Sequence, residues 1–245
     1  MHRATRIIAT LVLTAWAGSA CAITWADKTV ADPIDPTKKC AVREPMSWGS
    51  YIYEFPSKYD MVFWPVTTEA GLWSCEGTGF VALIDDFKGI PEAERAAIAA
   101  WLKGRDKPTD IRSRLQRLEA IYAMRQEDAA FRNRLLRTLA RWYQDLGDLQ
   151  RANDYRREAL AQIVSRLRSP MDDWDHLQYL YLAANYTRLF GDAEASDAWL
   201  AQLRVACDGI QDPKKKDAVD YLRKLAAQTP AIQPGGKLDP PEVAQ

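Results

Sequence analysis

The sequence contains two histidines, His2 and His176, and only the second lies beyond the first 22 residues. A serine or cysteine nucleophile with a histidine base would therefore depend on His176 alone. Its neighbours Asp172, Asp173 and Asp175 offer carboxylates that could orient an imidazole or bind a metal ion. Acidic residues at the start of a helix also complement its positive end, and one of them can cap it. We favour this structural interpretation of the three acids.

Two further polar motifs precede the part of the chain that is predicted to be helical. Asp85 and Asp86 could form half of an acid/base pair. The sequence identifies no partner carboxylate, so a turn or helix start is the simpler interpretation. The motif Gly77-Thr78-Gly79 is too short for a phosphate-binding loop and has no following lysine. These motifs predict no specific reaction.

The first 22 residues have the pattern of a secretory signal peptide. Two arginines precede the apolar run 7–17, and small residues at positions 20 and 22 suit cleavage after Ala22. A lipoprotein acylated at Cys21 is the alternative, although Gly18 stands where a large aliphatic residue is usual. The apolar run is too short to cross a bilayer as a helix. We therefore expect a periplasmic or secreted protein without an integral membrane segment.

The charge distribution argues against a nucleic-acid partner. Lysine and arginine total 33, as do aspartate and glutamate, and no concentrated basic surface is evident. The most basic run, Lys214 to Lys216, is interpreted as the solvated face of a helix.

Three cysteines follow the predicted cleavage site: Cys40, Cys75 and Cys207. In an exported chain this odd number implies one disulfide and one remaining thiol. Cys207 ends a predicted helix, and a buried structural thiol is the simplest interpretation of it. Pairing of this thiol with another molecule is the alternative.

Composition divides the remaining chain into four parts. Residues 23–46 contain prolines and no hydrophobic period, and are predicted to be an extended segment. Residues 47–90 are predicted to form a small antiparallel β module whose many aromatic side chains make its core. Its strands are expected at 51–55, 61–64, 72–75 and 80–84, the last of which could instead lead into a helix.

Residues 91–228 are predicted to be helical, because apolar side chains recur there at spacings of three and four. Two stretches around Tyr143 and Tyr186 repeat small and large residues in the order typical of tetratricopeptide hairpins. Residues 229–245 contain several prolines and glycines and are predicted to be a disordered tail. The predicted fold class is mainly α, a tetratricopeptide-like array of helical hairpins with a small amino-terminal antiparallel β module.

A cysteine-bearing β module, a Cys-x-x-x-Gly-Phe turn, and the helical segments LARWYQDLGD and YLYLAANYTRLFGDAEAS occur in that order. The chain thereby resembles, over roughly residues 40–205, a bacterial family of unknown function. Members of that family join an amino-terminal zinc-ribbon-like module to tetratricopeptide-like helices. The resemblance implies no catalytic activity.

The zinc ligands that this resemblance implies are incomplete. Zinc-ribbon members have two Cys-x-x-Cys pairs, whose four thiolates surround Zn²⁺ tetrahedrally. Here Arg43 and Thr78 occupy the second position of each pair and leave only Cys40 and Cys75. The resemblance therefore implies that a Cys40–Cys75 disulfide, contributing on the order of 3 kcal/mol, replaces the metal. Residual metal binding by these two cysteines is the alternative, and no cofactor is expected.

These features predict a periplasmic scaffold without catalytic activity that binds a protein or peptide on the concave face of its helices. The candidate groove residues are Arg141, Gln144, Tyr179, Asn185 and Arg188. The alternative is an envelope enzyme or glycan-binding protein that uses a cleft between the β module and the helices. Its candidate residues are Asp85, Asp86 and His176, and the rings that could be exposed for binding are Trp48, Tyr51 and Trp64.

Overall fold

The computed structural model describes residues 23–87 and 90–241. The predicted signal peptide and Cys21 lie outside these residues. The chain is mainly helical, with two small antiparallel sheets near its amino-terminal end, so the predicted mainly α class with a small antiparallel β module is confirmed. No helix in the described part of the chain is long and apolar enough to span a membrane.

Two β-hairpins precede the helices. In the first, β1 (Thr24–Ala31) pairs with β2 (Lys39–Ser47), and in the second β3 (Leu72–Ser74) pairs with β4 (Val81–Leu83). The first hairpin occupies most of the segment 23–46, which was predicted to be extended. Its loop is closed by the buried carboxylate of Asp32, which accepts a hydrogen bond of 2.8 Å from the backbone N–H of Ile34.

A disulfide joins the two hairpins. Cys40 lies in β2 and Cys75 directly follows β3, with their Cα atoms 4.8 Å apart. Both residues are buried in the same hydrophobic cluster, together with side chains of β4 and of the first helices. The predicted Cys40–Cys75 bridge is confirmed. Cys207 is the free cysteine of the described residues, and it is buried.

Residues 48–65, hereafter the aromatic segment, lie between the two hairpins and contain no β-strand. Two 3-10 helices, Ser50–Glu54 and Pro56–Asp60, replace the strand predicted at 51–55, and no strand forms at 61–64. A local turn bonds the N–H of Ile52 to the carbonyl of Gly49 at 3.3 Å, and at residues 60 and 61 a side chain, rather than a neighbouring strand, satisfies the backbone. Arg137 Nη1 donates hydrogen bonds to the carbonyl oxygens of Asp60 and Met61, at 2.9 and 2.8 Å. The strand positions predicted at 72–75 and 80–84 correspond to β3 and β4.

Seven α-helices follow in the described residues. They are α1 (Glu92–Leu102), α2 (Ile111–Tyr122), α3 (Ala129–Asp145), α4 (Leu149–Arg166), α5 (Asp173–Leu189), α6 (Ala193–Gly209) and α7 (Lys216–Ala226). Turns of three residues connect α3 to α4 and α5 to α6. In these turns Gly147 and Gly191 adopt left-handed backbone conformations, with φ of 80° and 91°, which glycine adopts without steric cost. Asp148 and Asp192 follow, and their side chains cap the next helix.

The carboxyl-terminal segment packs against the helices, so the prediction of a disordered tail is wrong for residues 229–241. Ile232 and Leu238 are buried, and the N–H of Gly235 donates to the carbonyl of Leu189 at 2.7 Å. The many prolines and glycines suggested disorder, but these two aliphatic side chains anchor the segment among the apolar residues of α5 to α7. Residues 242–245 lie outside the described part of the chain.

We expect the double variant Cys40→Ser/Cys75→Ser to unfold with a free energy lower by about 3 kcal/mol, because the closed loop no longer restrains the unfolded chain. Urea denaturation with and without reductant measures this change. The control Cys207→Ala should keep the wild-type response to reductant. Three free thiols in native, oxidised protein would contradict the bridge.

Candidate functional site

The carboxylate of Asp60 lies at the centre of the helical part of the molecule and is fully buried. Arg156 of α4 forms a bidentate pair with it, with Nε to Oδ1 at 2.9 Å and Nη2 to Oδ2 at 2.8 Å. The hydroxyl of Tyr186, on α5, donates to Oδ1 at 2.8 Å. Arg141 of α3 lies 3.8 Å from Oδ2. One side chain from the amino-terminal part thus contacts three successive helices.

The surrounding charges keep Asp60 ionised. Burial by itself would raise the pKa of its carboxyl group. The charge and hydrogen bonds of Arg156, the charge of Arg141 and the hydrogen bond from Tyr186 outweigh burial, so the pKa is lowered. Burial and the Asp60 charge raise the pKa of Tyr186, which therefore remains a hydrogen-bond donor.

The backbone on either side of Asp60 is bound by the same helices. Arg141 Nη1 donates to the carbonyl of Pro56 at 2.9 Å, and Asn185 Nδ2 donates to the carbonyl of Tyr59 at 3.0 Å. Residues 56–62, hereafter the inserted segment, therefore fill the inner part of a groove between α3 and α5. Two of the groove residues predicted from the sequence, Arg141 and Asn185, bind backbone here. This backbone belongs to the protein itself rather than to a partner.

The carboxyl-terminal segment occupies the outer part of this groove. Arg141 donates to the carboxylate of Asp239 from Nη1 at 2.9 Å and from Nη2 at 2.7 Å. Gln144 donates to the same carboxylate at 3.0 Å and accepts from the N–H of Leu238 at 2.8 Å. Asn185 accepts from the hydroxyl of Thr229 at 2.7 Å. Three of the five predicted groove residues, Arg141, Gln144 and Asn185, are thus brought together on this segment.

The other two predicted groove residues lie elsewhere. Arg188, near the end of α5, pairs with Asp197 of α6. Tyr179 is half-buried and lines a separate cavity of about 750 Å³ with residues of α3 and α4, among them Arg132 and Arg166. Among the described residues, neither side chain forms a hydrogen bond with the inserted segment or with the carboxyl-terminal segment.

The three candidate rings differ in exposure. Trp64 is buried, whereas Trp48 is 54% exposed and lies with its ring centroid 5.2 Å from that of Trp64. Tyr51 is half-buried, with its ring 6.2 Å from that of Phe55. These rings therefore do not form a continuous exposed platform.

The acids of the alternative function are bound by arginines. Asp85 pairs with Arg134 at 2.6 Å, and Asp86 accepts from the hydroxyl of Tyr122 at 2.8 Å and pairs with Arg125. Asp85 lines a cavity of about 670 Å³ next to the first hairpin, and His176 is not among its lining residues. The structure does not bring the candidate acids and the histidine into one site. Asp172 caps α5, as the structural interpretation of the acidic run predicted.

A buried acid lies beside the disulfide. The ligand atoms of Asp32, Cys40 and Cys75 lie within 4.8 Å of one another. Sulfurs joined in a disulfide carry no thiolate charge and are poor metal ligands. The carboxylate of Asp32 instead accepts from the hydroxyl of Thr78 at 2.8 Å. Thr78, which occupies the second position of the incomplete pair that begins at Cys75, therefore has a structural role.

Sequence reasoning did not identify two parts of the structure. One is Asp60 itself, a lone acid within the apolar run YDMVFW, where an ionised side chain requires a buried partner. The other is a cleft between the aromatic segment and the last helices. Its aromatic lining residues are Tyr53, Phe63, Trp174 and Tyr221. The density of rings at 47–65 was the signal for it, but α5 and α7 supply the other wall.

Comparisons of the chain with family models, with curated proteins and with solved structures found no significant match.

We expect Asp60→Asn and Arg156→Met each to lower the free energy of unfolding by about 3–5 kcal/mol, because each leaves one buried charge without its partner. The double variant should lose clearly less than the sum of the two. Urea denaturation supplies all the values. Asp154 and Arg157, an exposed pair on the same helix, provide the control, and their replacement should change stability little. Additive losses at Asp60 and Arg156 would refute the coupling.

The lowered pKa of Asp60 predicts acid sensitivity. A carboxylate with a lowered folded-state pKa adds stability above its unfolded-state pKa, near 4, and loses this contribution as the pH falls through the folded value. The difference in unfolding free energy between wild type and Asp60→Asn should therefore shrink below about pH 4. Urea titrations at several pH values measure it, and a constant difference down to acid pH would contradict the assignment.

Proposed function

We propose that this protein is a non-catalytic, tetratricopeptide-like scaffold of the cell envelope that binds an acidic peptide segment of a partner protein. The observation that supports this proposal is the binding of Leu238 and Asp239 in the groove. Arg141 and Gln144 contact both the carboxylate and the backbone N–H of this short stretch. A peptide ligand is recognised by the same combination of side-chain and backbone contacts. In this proposal the carboxyl-terminal segment occupies the site that a partner would use.

The two segments in the groove differ in how readily they can leave it. Asp60, in the inserted segment, is a fully buried ion whose removal would leave Arg156 unpaired. The side chain of Asp239 is 35% exposed. Solvent screens a partly exposed pair and weakens its contribution. We therefore propose that the inserted segment is a permanent part of the fold and that the carboxyl-terminal segment is exchangeable.

Competition by the chain itself would set the apparent affinity for a partner. A ligand that binds only molecules with an open groove has its affinity reduced in proportion to the open fraction. A partner segment with an aliphatic residue followed by an acid would reproduce the contacts of Leu238 and Asp239. The groove would then select partners by this local pattern.

The proposed location is supported by the signal-peptide pattern of the first 22 residues and by the disulfide. Disulfide bonds persist in oxidising compartments such as the periplasm. A catalytic role has less support, because Asp85 and Asp86 are paired with arginines. His176 is not among the residues that line the cavity beside Asp85.

A labelled peptide with the sequence QPGGKLDPPEVAQ, residues 233–245, tests the groove in full-length protein. The variant Leu238→Ala/Asp239→Ala should bind it at least ten-fold more tightly than wild type, because its own segment no longer competes. Adding Gln144→Ala to this variant should abolish the gain, since the side-chain hydrogen bonds of Gln144 among the described residues go to the exchangeable segment. Fluorescence anisotropy measures the affinities.

Two controls separate groove binding from unspecific association. Lys237→Ala, an exposed position of the same segment, should bind the peptide like wild type. A peptide with alanine in place of the aspartate should not bind any variant. If the variant with the released segment binds neither this peptide nor acidic segments of envelope proteins, the proposed function is wrong.

A further inference from the structure

A second candidate site is distinct from the groove, although Met61 of the inserted segment contributes to its lining. A cleft of about 550 Å³ lies between the aromatic segment and the helices α5 and α7. We call it the aromatic cleft, and its lining residues are Ser50, Tyr53, Glu54, Met61, Phe63, Trp174, Gln178, Asp217, Ala218 and Tyr221. Tyr53 is 46% exposed although two other rings lie close to it. Exposed aromatic side chains grouped in one cleft indicate a binding site.

The rings of the cleft are fixed at steep angles to one another. The ring of Tyr53 lies 5.2 Å from that of Phe63 and 6.4 Å from that of Tyr221, at 69° in both cases. The hydroxyl of Tyr221 donates to the carbonyl of Tyr53 at 2.6 Å, which ties α7 to the aromatic segment. Because the rings are not coplanar, they do not offer the flat surface on which a sugar ring stacks. They suit a compact, rounded group that contacts several walls.

The charge of the lining residues is negative. Glu54 and Asp217 contribute two carboxylates, and the lining includes no lysine or arginine. Glu54 is also bound by Lys58 at 3.3 Å, so its charge is partly balanced. Asp217 is exposed in the first turn of α7 and has no ion pair among the described residues. A cation entering the cleft would therefore meet aromatic side chains and the carboxylate of Asp217, which interacts with the charge of the neighbouring Lys216 but forms no direct ion pair among the described residues.

We propose that the aromatic cleft binds a small organic cation with an alkylated ammonium group. The faces of aromatic rings attract such a cation, and alkylation lowers the cost of removing it from water. The carboxylate of Asp217 adds long-range attraction, and the apolar walls contact the alkyl groups. A neutral molecule of the same shape would keep the apolar contacts and lose both electrostatic contributions.

Choline and its neutral isostere 3,3-dimethyl-1-butanol are the probes that separate these contributions. We expect choline to bind full-length wild type at least ten-fold more tightly than the isostere, measured by calorimetry and by tryptophan fluorescence at constant ionic strength. This experiment does not involve the groove, so its outcome is independent of the peptide titration.

Variants locate the site. Tyr53→Leu and Asp217→Asn should each weaken choline binding at least five-fold, while the melting temperature confirms that the variants are folded. Trp48→Leu is the matched control, because Trp48 is 54% exposed but does not line the cleft. Its affinity for choline should equal that of wild type.

Three results would overturn the proposal. Equal affinities for choline and the isostere would show an apolar cleft without cation selectivity. Unchanged choline binding in folded Tyr53→Leu would place any binding elsewhere. No calorimetric or fluorescence change with choline at tens of millimolar would show that the cleft does not bind this cation.

Discussion

A single buried carboxylate determines how the parts of this molecule fit together. Asp60 cannot be ionised inside a protein without partners, because removing a charge from water costs several kcal/mol or more. Arg156, Tyr186 and Arg141 supply these partners from three successive helices. The helices must therefore be arranged around the aromatic segment. The amino-terminal part is a component of the helical core rather than an independent addition to it.

The other structural features support this central contact. The disulfide joins the hairpin that precedes the aromatic segment to the hairpin that follows it. The aromatic segment is therefore part of a loop that the disulfide closes. Arg137 and Asn185 bind the backbone that neighbours Asp60, which substitutes for the missing strand partners. The carboxyl-terminal residues then cover the groove from outside. The buried pair of Asp60 and Arg156 thus holds the inserted segment inside the groove. The partly exposed pair of Arg141 and Asp239 holds the carboxyl-terminal segment over it.

Patterns with local causes could be predicted from the sequence. The helices have their expected positions because apolar spacing and aspartate caps act within a few residues. Arg141, Gln144 and Asn185, which the hairpin pattern placed on one face of the helices, lie together against two segments of the chain itself. Their binding of a partner stays a prediction. The occupant of the groove was not predictable, since Asp60 and Asp239 reach it from distant parts of the chain. Alternating aromatic residues at 51–55 suggested a strand, but arginine side chains satisfy the following backbone instead.

The geometry around Asp60 also constrains how the sequence can diverge. Asp60 and Arg156 are 96 positions apart, and Tyr186 lies on yet another helix. Loss of Asp60 or of Arg156 leaves a buried charge without its partner, and loss of the Tyr186 hydroxyl removes one hydrogen bond from Asp60. A coordinated apolar replacement leaves no such buried charge. Among relatives of this protein, these positions should therefore vary together. Such covariation would identify members with the same inserted segment even where their aromatic residues differ.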